Sequence, residues 1–352
     1  MKYFITGNLG YIGPILCDFI KRNDKDAFII GYDAGYFLNC AISPKLPKNK
    51  PNIDLQVFGD VRDKRKIDCY LDGVDHVIQL AAISNDPMGN EFEKATIEIN
   101  QLSSIYLAKK CIDLGIKSFT FASSCSVYGA GSDKPRTEKD LTNPLTAYAR
   151  SKIGTENELK NLRNLGNTKI TCLRFATACG YSPNLRLDLV LNDFVATALT
   201  TNSIKILSDG SPWRPLIDVE DMSRALYWSC FRDKGEALEI INIGSSDWNY
   251  QIKELAQSTK NELGGKINID INKNAAPDKR SYRVSFEKYF SLAPSNFRPK
   301  ITLSKSIKKI YNGLIKFSEE INMDRSYLIR LNVLRSHRLN NKLDENLIWV
   351  NS

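Results

Sequence analysis

Apolar, β-rich runs alternate with amphipathic stretches along the first half of the chain. The predicted strands are residues 2–6, 27–33, 55–59, 76–81, 118–123 and 169–175, and the predicted helices between them are residues 11–22, 91–114 and 144–165. Continuous apolar strands that alternate with helices predict a parallel sheet with helices on both faces. The expected fold class is therefore α/β, with a Rossmann-type doubly wound parallel sheet.

The pattern becomes irregular after Gly180, where Pro183, Pro212 and Pro215 interrupt it. Shorter elements resume near Ala225 and Ile240 and over 251–263 and 303–317. We therefore expect a Rossmann domain over 1–180 with a returning segment near 210–245. A smaller, interleaved C-terminal cap is expected mainly over 181–318, and a C-terminal extension over 319–352. The extension mixes charged residues with Leu and Ile, which fits either a docked helix or a loose segment.

Composition narrows the functional classes. The chain has 352 residues, of which 42% are hydrophobic and 25% charged, as in a folded protein with an ample core. The net charge of +9 arises from basic residues spread along the chain, and the densest run, 45–50, lies among prolines and is typical of a solvated loop. No basic segment is interleaved with aromatic residues, so we expect no nucleic-acid partner. The charge suits ligands that carry several phosphates.

The eight cysteines form no C-x-x-C pair, and His76 and His337 are the only histidines. This usage predicts reduced thiols in a cytoplasmic protein and no metal site. The N-terminus lacks an export signal, and no apolar run approaches the ~18 residues that would span a membrane, so no membrane association is expected.

A glycine-rich turn links the first predicted strand to the first helix. Gly7, Gly10 and Gly13 form a G-x-x-G-x-x-G pattern that can bring backbone N–H groups to a pyrophosphate, although an ordinary tight turn has the same composition. The next strand ends in Asp33, where a carboxylate can bind ribose hydroxyls and repel the extra phosphate of NADP. The expected cofactor is NAD. Asp60 and Val61, after the third strand, are candidates for the adenine, although Asp60 also suits a turn or cap.

A second signal is a tyrosine and a lysine four residues apart. Tyr148 and Lys152 share one helix face, so the ammonium can support a phenolate that acts as a base. A surface helix pair would look the same. The hydroxyl-rich segment 121–129 lies upstream and can bond the sugar oxygen whose proton Tyr148 takes.

In this order, these motifs resemble the extended short-chain dehydrogenase/reductase family, the NAD-dependent epimerases and dehydratases of nucleotide sugars, from residue 1 to about 317. The resemblance implies Ser124, Tyr148 and Lys152 as catalytic residues. Gln79 stands where the family usually has a histidine. The implied cofactor contacts, besides Tyr148 and Lys152, are Gly7, Gly10, Tyr11, Ile12, Gly13, Asp33, Asp60, Val61, Leu80, Ala81, Ala82 and Asn100. The implied substrate contacts are Ser84, Ser126, Thr177, Arg186, Asn192, Arg214 and Arg280. Surface ion pairs are the other interpretation for the arginines.

Departures from the family pattern narrow the reaction. Cys125 and Ser126 stand where similar dehydratases carry an acidic pair, which disfavours dehydration. What remains is 4-epimerisation, or a 2-epimerisation that passes through the same kind of keto-sugar, and C4 is the favoured position of oxidation. A 4-dehydrogenase or 4-keto reductase without epimerisation is the alternative, and a non-catalytic NAD-sensing regulator is a third class. The segment 182–192 is similar to a subgroup found in surface-polysaccharide pathways that includes oxidoreductases acting at C4 of GDP-heptose, but it does not identify the base or the sugar. The resemblance also implies a homodimer formed by helices 91–114 and 144–165.

Overall fold

A seven-stranded sheet forms the centre of the computed structural model, which describes residues 1–41, 52–130, 134–272, 274–275 and 281–350. Its strands are β1 (Lys2–Thr6), β2 (Phe28–Asp33), β3 (Leu55–Phe58), β4 (His76–Gln79), β5 (Ser118–Ser124), β6 (Lys169–Phe175) and β10 (Leu238–Ile243). They are hydrogen-bonded in the order β10-β6-β5-β4-β1-β2-β3, and every pair is parallel. The α/β, doubly wound fold class is confirmed.

Both faces of this sheet are covered by helices. The helices of the first half are α1 (Gly13–Asn23), α2 (Lys64–Asp68), α3 (Asp86–Glu91), α4 (Glu93–Thr96), α5 (Ser103–Asp113) and α6 (Ala147–Lys160). Alternate residues of β1 enter opposite cores, since Tyr3 and Ile5 pack in one apolar cluster while Phe4 packs in the other. Apolar residues on both faces explain why the strands have continuous apolar sequences.

Helix 91–114 of the sequence analysis is a composite in the structure. Helix α3 ends at Glu91, Phe92 leaves helical geometry with φ −120° and ψ 55°, and α4 leads into a π-helical segment, Ile97–Leu102, before α5. Within the π segment, the Asn100 side chain is held by the Ile83 backbone and by Ser151. Tertiary hydrogen bonds that local sequence does not encode accompany this departure from regular helix.

Helix 144–165 is shorter than expected. Helix α6 begins after Thr146, whose hydroxyl caps the helix by accepting from the Ala149 N–H at 3.2 Å, and it ends at Lys160. Pro144 therefore belongs to the extended approach and not to the helix. The cap fixes the first turn, in which Tyr148 lies.

The second half of the chain adds a smaller layer beyond the sheet. Its strands are β7 (Thr177–Cys179), β8 (Ser203–Ile206), β9 (Trp213–Asp218), β11 (Asn249–Gln251) and β12 (Asn268–Ile271). Its helices are α7 (Val190–Thr201), α8 (Val219–Phe231), α9 (Ile252–Leu263), α10 (Glu287–Leu292) and α11 (Leu303–Leu314). Strands β11, β9 and β7 form one small sheet and β12 and β8 another, and α7, α9 and α11 pack in a third apolar cluster with them. Helix α8 instead packs on α1 against the main sheet.

The C-terminal extension is docked. It contains α12 (Ser318–Met323) and α13 (Arg330–Leu339). Leu334, Leu343 and Leu347 are buried in the same cluster as one face of the main sheet. The Trp349 Nε1–H donates to the Ala34 carbonyl at 2.6 Å, so the tail covers the turn that follows β2. Within the described ranges, no helix is both long and apolar enough to cross a membrane.

Candidate active site

A cavity of about 840 Å³ lies at the carboxyl ends of the main-sheet strands. Residues following β1 to β6 line one side, and residues of the smaller layer, including Thr177 and Arg214, line the other. Open α/β sheets bind ligands at this edge because the loops after successive strands converge there. Most of the predicted site residues line this one cavity, and the exceptions are Gly13, Asn100, Asn192 and Arg280.

The glycine turn forms the floor of the cavity. Gly7 has φ +69°, and a Cβ on it would lie 2.6 Å from the Ala81 backbone nitrogen, so no side chain fits there. Gly10 lines the cavity, and within 4 Å its Cβ would meet only the Gly7 oxygen, at 3.1 Å. Gly13 lies behind the turn instead, where a Cβ would be 2.1 Å from the Asn8 oxygen. Gly13 therefore allows close packing and does not line the cavity.

Helix α1 starts at this turn. Its N-cap residue, Ile12, gives no side-chain hydrogen bond, and Tyr11 and Ile12 both line the cavity. First-turn N–H groups that lack a side-chain cap, together with the helix dipole, favour an anion at this position. The Tyr11 hydroxyl donates to the Gly180 carbonyl at 2.6 Å and so ties the turn to the smaller layer.

Asp33 lies at the end of β2, where the sequence predicts an acid for a ribose. Its two carboxylate oxygens accept from the backbone N–H groups of Leu9, at 3.0 Å, and Gly35, at 2.8 Å. Burial raises the pKa of this carboxyl, and the two backbone hydrogen bonds oppose the rise. The carboxylate is thus fixed beside the glycine turn and lines the cavity.

Asp60 and Val61 also line the cavity, after β3. The carboxylate of Asp60 is engaged by Arg62, with Nε to Oδ1 at 2.9 Å and Nη2 to Oδ2 at 2.6 Å. Its expected contact with an adenine amino group therefore has to coexist with a bidentate ion pair.

The segment after β4 approaches the glycine turn. Leu80, Ala81 and Ala82 line the cavity, as the sequence predicts for the cofactor side. Asn100 does not line it. Its amide accepts from the Ile83 N–H at 2.8 Å and donates to the Ile83 carbonyl and to Ser151, both at 3.0 Å. Asn100 thus holds the backbone segment and α6 in place, in contrast to the expected cofactor contact.

Ser124, Tyr148 and Lys152 meet on the opposite wall. The Lys152 Nζ donates to the Ala122 carbonyl at 2.7 Å and lies 5.6 Å from the centre of the Tyr148 ring. Ser124 ends β5 and accepts from the Ser126 N–H at 3.1 Å. One strand end and one helix face therefore place a hydroxyl, a phenol and an ammonium together.

Burial dominates the protonation of this set. It raises the pKa of Tyr148 to about 12, although a hydrogen bond with Ser124 opposes the rise. It also lowers the pKa of Lys152 to about 7, against the attraction of Glu156. In the protein alone, a neutral phenol stands beside an ammonium that loses its proton easily.

The structure places the predicted substrate residues differently from one another. Ser126, Thr177 and Arg214 line the cavity, and the Ser126 hydroxyl is buried without a hydrogen-bond partner among the described residues. Such a hydroxyl favours a polar ligand, because an unsatisfied buried donor is costly. Arg280 lies outside the described residues.

Arg186 lines the cavity as an ion pair. Its Nε and Nη2 donate to Asp188 at 3.0 and 2.8 Å, and its Nη1 donates to the Ser84 hydroxyl at 2.8 Å. Ser84 also lines the cavity. Both interpretations of Arg186, an internal pair and a ligand contact, are compatible with this position.

Asn192 differs from the expectation of a substrate contact. It is fully buried, it is not among the cavity residues, and its amide accepts from the Gly180 N–H and donates to Tyr11 and to the Arg186 carbonyl. These bonds consume the polar atoms that would reach a ligand. Asn192 is therefore not carried into the proposed site.

Several charged residues of the cavity escape the sequence analysis, among them Asp86 and Arg330. Asp86 accepts from the Thr146 hydroxyl at 2.6 Å and raises the pKa of Tyr148 by its charge. The sequence Asn85-Asp86-Pro87 is typical of the start of a helix. Because this local role explains Asp86, the sequence gives no reason to place it in the cavity. No local signal distinguishes Arg330.

Cys125 belongs to the core and does not line the cavity. Its thiol donates to the Arg174 carbonyl at 3.1 Å, and burial raises its pKa well above the usual value. Across the described ranges, no group of three or more His, Cys, Asp and Glu side chains is arranged to hold a metal ion.

Comparison with known proteins gives a family match. Residues 3–244 match the model of the NAD dependent epimerase/dehydratase family. Protein CapI of Staphylococcus aureus is 25% identical over 346 residues, which cover 90% of this chain and 99% of that protein. A putative UDP-glucose 4-epimerase of Methanocaldococcus jannaschii is 27% identical over 322 residues, 88% of this chain and 97% of that one. The structure of MoeE5 in complex with UDP-glucose and NAD covers 90% of this chain and 99% of its own, with a TM-score of 0.72 and 24% identity.

Proposed function

The chain belongs to the NAD-dependent epimerase/dehydratase family, and from this premise we propose that it binds NAD and oxidises a hydroxyl of a nucleotide-linked sugar, at C4, to a keto-sugar that it then reduces on the other face. The family match over residues 3–244 supports the enzyme class. The proposal of an epimerase at C4 goes further and rests on the site.

The observation that carries the proposal is the convergence of two sets on one cavity. The glycine turn and Asp33 line one end, and Ser124, Tyr148 and Lys152 line the other. The first set suits a dinucleotide and the second suits removal of a hydroxyl proton. A regulator that only senses NAD would need the first set alone.

The fit to NAD can be judged on the structure. The turn has no room for a Cβ at Gly7, α1 presents an N-terminus without a side-chain cap, and the Asp33 carboxylate faces the same cavity. The glycine turn would hold the pyrophosphate, Asp33 the adenosine ribose, and Lys152 the other ribose. When bound, the oxidised nicotinamide ring would supply the hydride acceptor and a positive charge that favours a phenolate.

The chain's own residues would manage the proton. Tyr148, as phenolate, accepts the proton of the sugar hydroxyl while the adjacent C–H bond breaks and the carbon becomes a carbonyl. Lys152 stabilises the phenolate by its charge, and Ser124 donates a hydrogen bond to the same sugar oxygen. Reduction returns the proton from Tyr148 to that oxygen. Epimerisation requires the keto-sugar to present its other face in the same cavity, so no free cofactor would be consumed.

Dehydration is not favoured by the residues beside Ser124. Elimination of water requires an acid and a base near the sugar, yet Cys125 is held in the core and Ser126 carries a hydroxyl. A 4-dehydrogenase or 4-keto reductase without epimerisation needs the same three residues and remains the second candidate. On the sequence of 182–192, we propose surface-polysaccharide synthesis as the pathway class.

The diphosphate of the sugar nucleotide would lie against the smaller layer, with Arg214 as its contact in the described part of the chain. Arg214 lines the cavity from β9, and its guanidinium lies 6.0 Å from the Tyr282 ring. Planar guanidinium groups suit phosphate oxygens. This role assigns substrate binding to the cap and cofactor binding to the main sheet.

The decisive experiment offers pure protein a panel of UDP-, GDP-, CDP- and dTDP-sugars and follows bound NADH by absorbance and sugar products by mass and NMR. An epimer of unchanged mass, without net NADH, is the expected result. Accumulation of NADH with a keto product would favour the dehydrogenase. Loss of water from the sugar, or no turnover of any member of a broad panel, would contradict the proposal.

A further inference from the structure

Arg330 is a buried cation that lines the cofactor end of the cavity from the C-terminal tail. It begins α13 and is 1% exposed. Among the residues that the structure describes, its Nη1 has no hydrogen-bond partner and its guanidinium forms no ion pair. The proposed function leaves this residue without a role.

The neighbours of Arg330 locate it beside the glycine turn. Its Nη2 donates to the Asn184 carbonyl at 2.8 Å, and the Asn184 side chain donates to the Leu9 carbonyl at 2.7 Å. The guanidinium carbon lies 4.8 Å from the centre of the Phe37 ring, in the turn after β2. Its positive charge also opposes the rise that burial causes in the pKa of Asp33. Arg330 thus stands between the turn suited to a pyrophosphate and the acid suited to the adenosine ribose.

The acids near Arg330 are already engaged. Asp188 is paired with Arg186, and Asp33 accepts from two backbone N–H groups. The thiol of Cys40 also lies beside Arg330, but it is a weak partner for a cation. Burial lowers the pKa of Arg330, since desolvation disfavours the charged form, and the positive charge of Arg186 adds to this effect, while Cys40 and Asp188 oppose it. An anion that enters the cavity would remove this cost.

The tail is fixed so that Arg330 stays in this position. Nη1 of Arg62 donates to the Asn346 carbonyl at 2.7 Å, and His337 Nε2 lies 2.8 Å from the Tyr36 carbonyl oxygen. Tyr36 in turn donates to the Leu347 carbonyl. These bonds join the tail to the segments after β2 and β3, which form the adenosine end of the cavity.

We infer that Arg330 binds a phosphate oxygen of the dinucleotide cofactor and that residues 330–349 form a wall of the cofactor site. The inference rests on the NAD binding of the proposed function but not on any sugar chemistry. A guanidinium that donates from Nη1 to a phosphate makes a charge-assisted hydrogen bond, and the start of α13 adds to the positive field. The tail thereby helps to hold the bound cofactor in the cavity.

The test compares Arg330→Met and Arg330→Lys with Arg335→Met, a control on the same helix whose side chain is 53% exposed and pairs with Glu91. Cofactor-free full-length proteins are titrated by calorimetry with NAD, ADP-ribose, ADP and adenosine. We expect Arg330→Met to weaken the three phosphate ligands by about 10- to 100-fold, as for a lost hydrogen bond between charged groups, and to leave adenosine unchanged. Arg330→Lys should fall between, and Arg335→Met should match the unaltered protein.

Thermal unfolding separates this role from a structural one. Without ligand, Arg330→Met should melt at the same or a higher temperature than the unaltered protein, because an uncompensated charge is removed; with NAD, its gain in melting temperature should be smaller. Equal losses for adenosine and ADP, or a ligand-free melting temperature that falls as far as the NAD-bound one, would overturn the inference. If Arg330→Met weakened the binding of UDP or GDP and left NAD binding intact, Arg330 would contact the substrate and the inference would also be wrong.

If Arg330→Met folds poorly, the test rests on Arg330→Lys. An unaltered affinity for ADP in Arg330→Lys would overturn the inference. If the unaltered protein binds NAD but turns over no sugar nucleotide, only the proposed reaction fails. If it does not bind NAD at all, the proposed cofactor fails, and the Arg330 contact with it.

Discussion

The Nζ of Lys152 lies 2.7 Å from the Ala122 carbonyl oxygen and 5.6 Å from the centre of the Tyr148 ring. A backbone carbonyl at the end of β5 therefore holds the ammonium at the edge of the cavity, within electrostatic range of the phenol. The arrangement makes both side chains parts of one proton-transfer unit, and it yields the first prediction.

Tyr148→Phe should lower turnover by about 10²- to 10⁴-fold, because it removes the proton acceptor while the ring and its packing remain. NAD affinity should change little. The measurement is steady-state turnover of the substrate found in the panel, with Tyr106→Phe as a surface control whose hydroxyl bonds Asp68. Near-normal turnover by Tyr148→Phe would contradict the proposed chemistry for epimerase and dehydrogenase alike.

Lys152→Met should change how stability depends on pH in the cofactor-free protein. The folded pKa of about 7 lies below that of an unfolded lysine, about 10.4, so between these values the unfolded chain binds more protons. Stability of the unaltered protein therefore gains a rising contribution with pH across this window, and the variant lacks it. The advantage of Lys152→Met should be greatest at and below about pH 7 and shrink toward about pH 10.

Urea unfolding at several pH values measures this difference. Lys160→Met, at the exposed end of α6, serves as the control and should show a nearly constant difference. A constant difference for Lys152→Met as well would show that the folded pKa of Lys152 is not lowered.

Asp33 should select NAD over NADP by more than about tenfold, since its carboxylate lines the cavity where a 2′-phosphate would lie. Asp33→Asn should reduce the ratio of NAD affinity to NADP affinity, because it lowers the affinity for NAD and raises the affinity for NADP. Fluorescence titration of the cofactor-free protein with both dinucleotides gives the ratio. Equal affinities in the unaltered protein would remove Asp33 from this role.

Arg214→Ala should weaken binding of the nucleoside diphosphate of the substrate by about 10- to 100-fold and leave NAD binding intact, because charge-assisted bonds to phosphate are lost. Arg283→Ala is the matched control. The Arg283 guanidinium lies over the ring of Trp213, the residue before Arg214, but Arg283 does not line the cavity. The same result is predicted for Arg280→Ala. Calorimetry with UDP and GDP makes the comparison, and loss of stability without loss of affinity would favour a structural role.

The chain should form a homodimer through the π segment and α6. Ile97 and Leu102 are 38% and 55% exposed on the π segment, which packs against α6 in the protomer. Leu102→Glu should then give a monomer by light scattering at micromolar concentration, whereas Leu339→Glu, at an 83% exposed tail position, should not. A monomeric unaltered protein would contradict this prediction.

The strands of the main sheet could be predicted because most of them are buried on both faces and have continuous apolar sequences, whereas the edge strand β3 is partly exposed. Lys2–Thr6 and Lys169–Phe175 have the predicted bounds, and the other four predicted strands differ by a residue or two at one end. Tyr148 and Lys152 could be found for a related reason, since helix geometry alone brings residues four apart to one face. The division into domains with separate roles stays a prediction.

Positions set by distant partners could not be predicted in this way. Asn100 and Asn192 resemble ligand-binding amides in sequence, but both bond internally, with Ser151 and Tyr11, 51 and 181 residues away along the chain, among their partners. The π segment and the break at Phe92 are likewise invisible to a periodicity argument. Arg330 reaches Phe37 only because the tail folds back over the first half of the molecule.

The ribosome makes residues 330–349 after every strand of the main sheet, yet these residues cover the turn that follows Asp33. A nascent chain can therefore pair its seven strands while Tyr36 and the neighbouring turn still lack their cover. The adenosine end of the cavity would mature last, after the catalytic end is already assembled. A fusion tag or shortening at this end of the chain should therefore act first on cofactor retention and only later on the sheet.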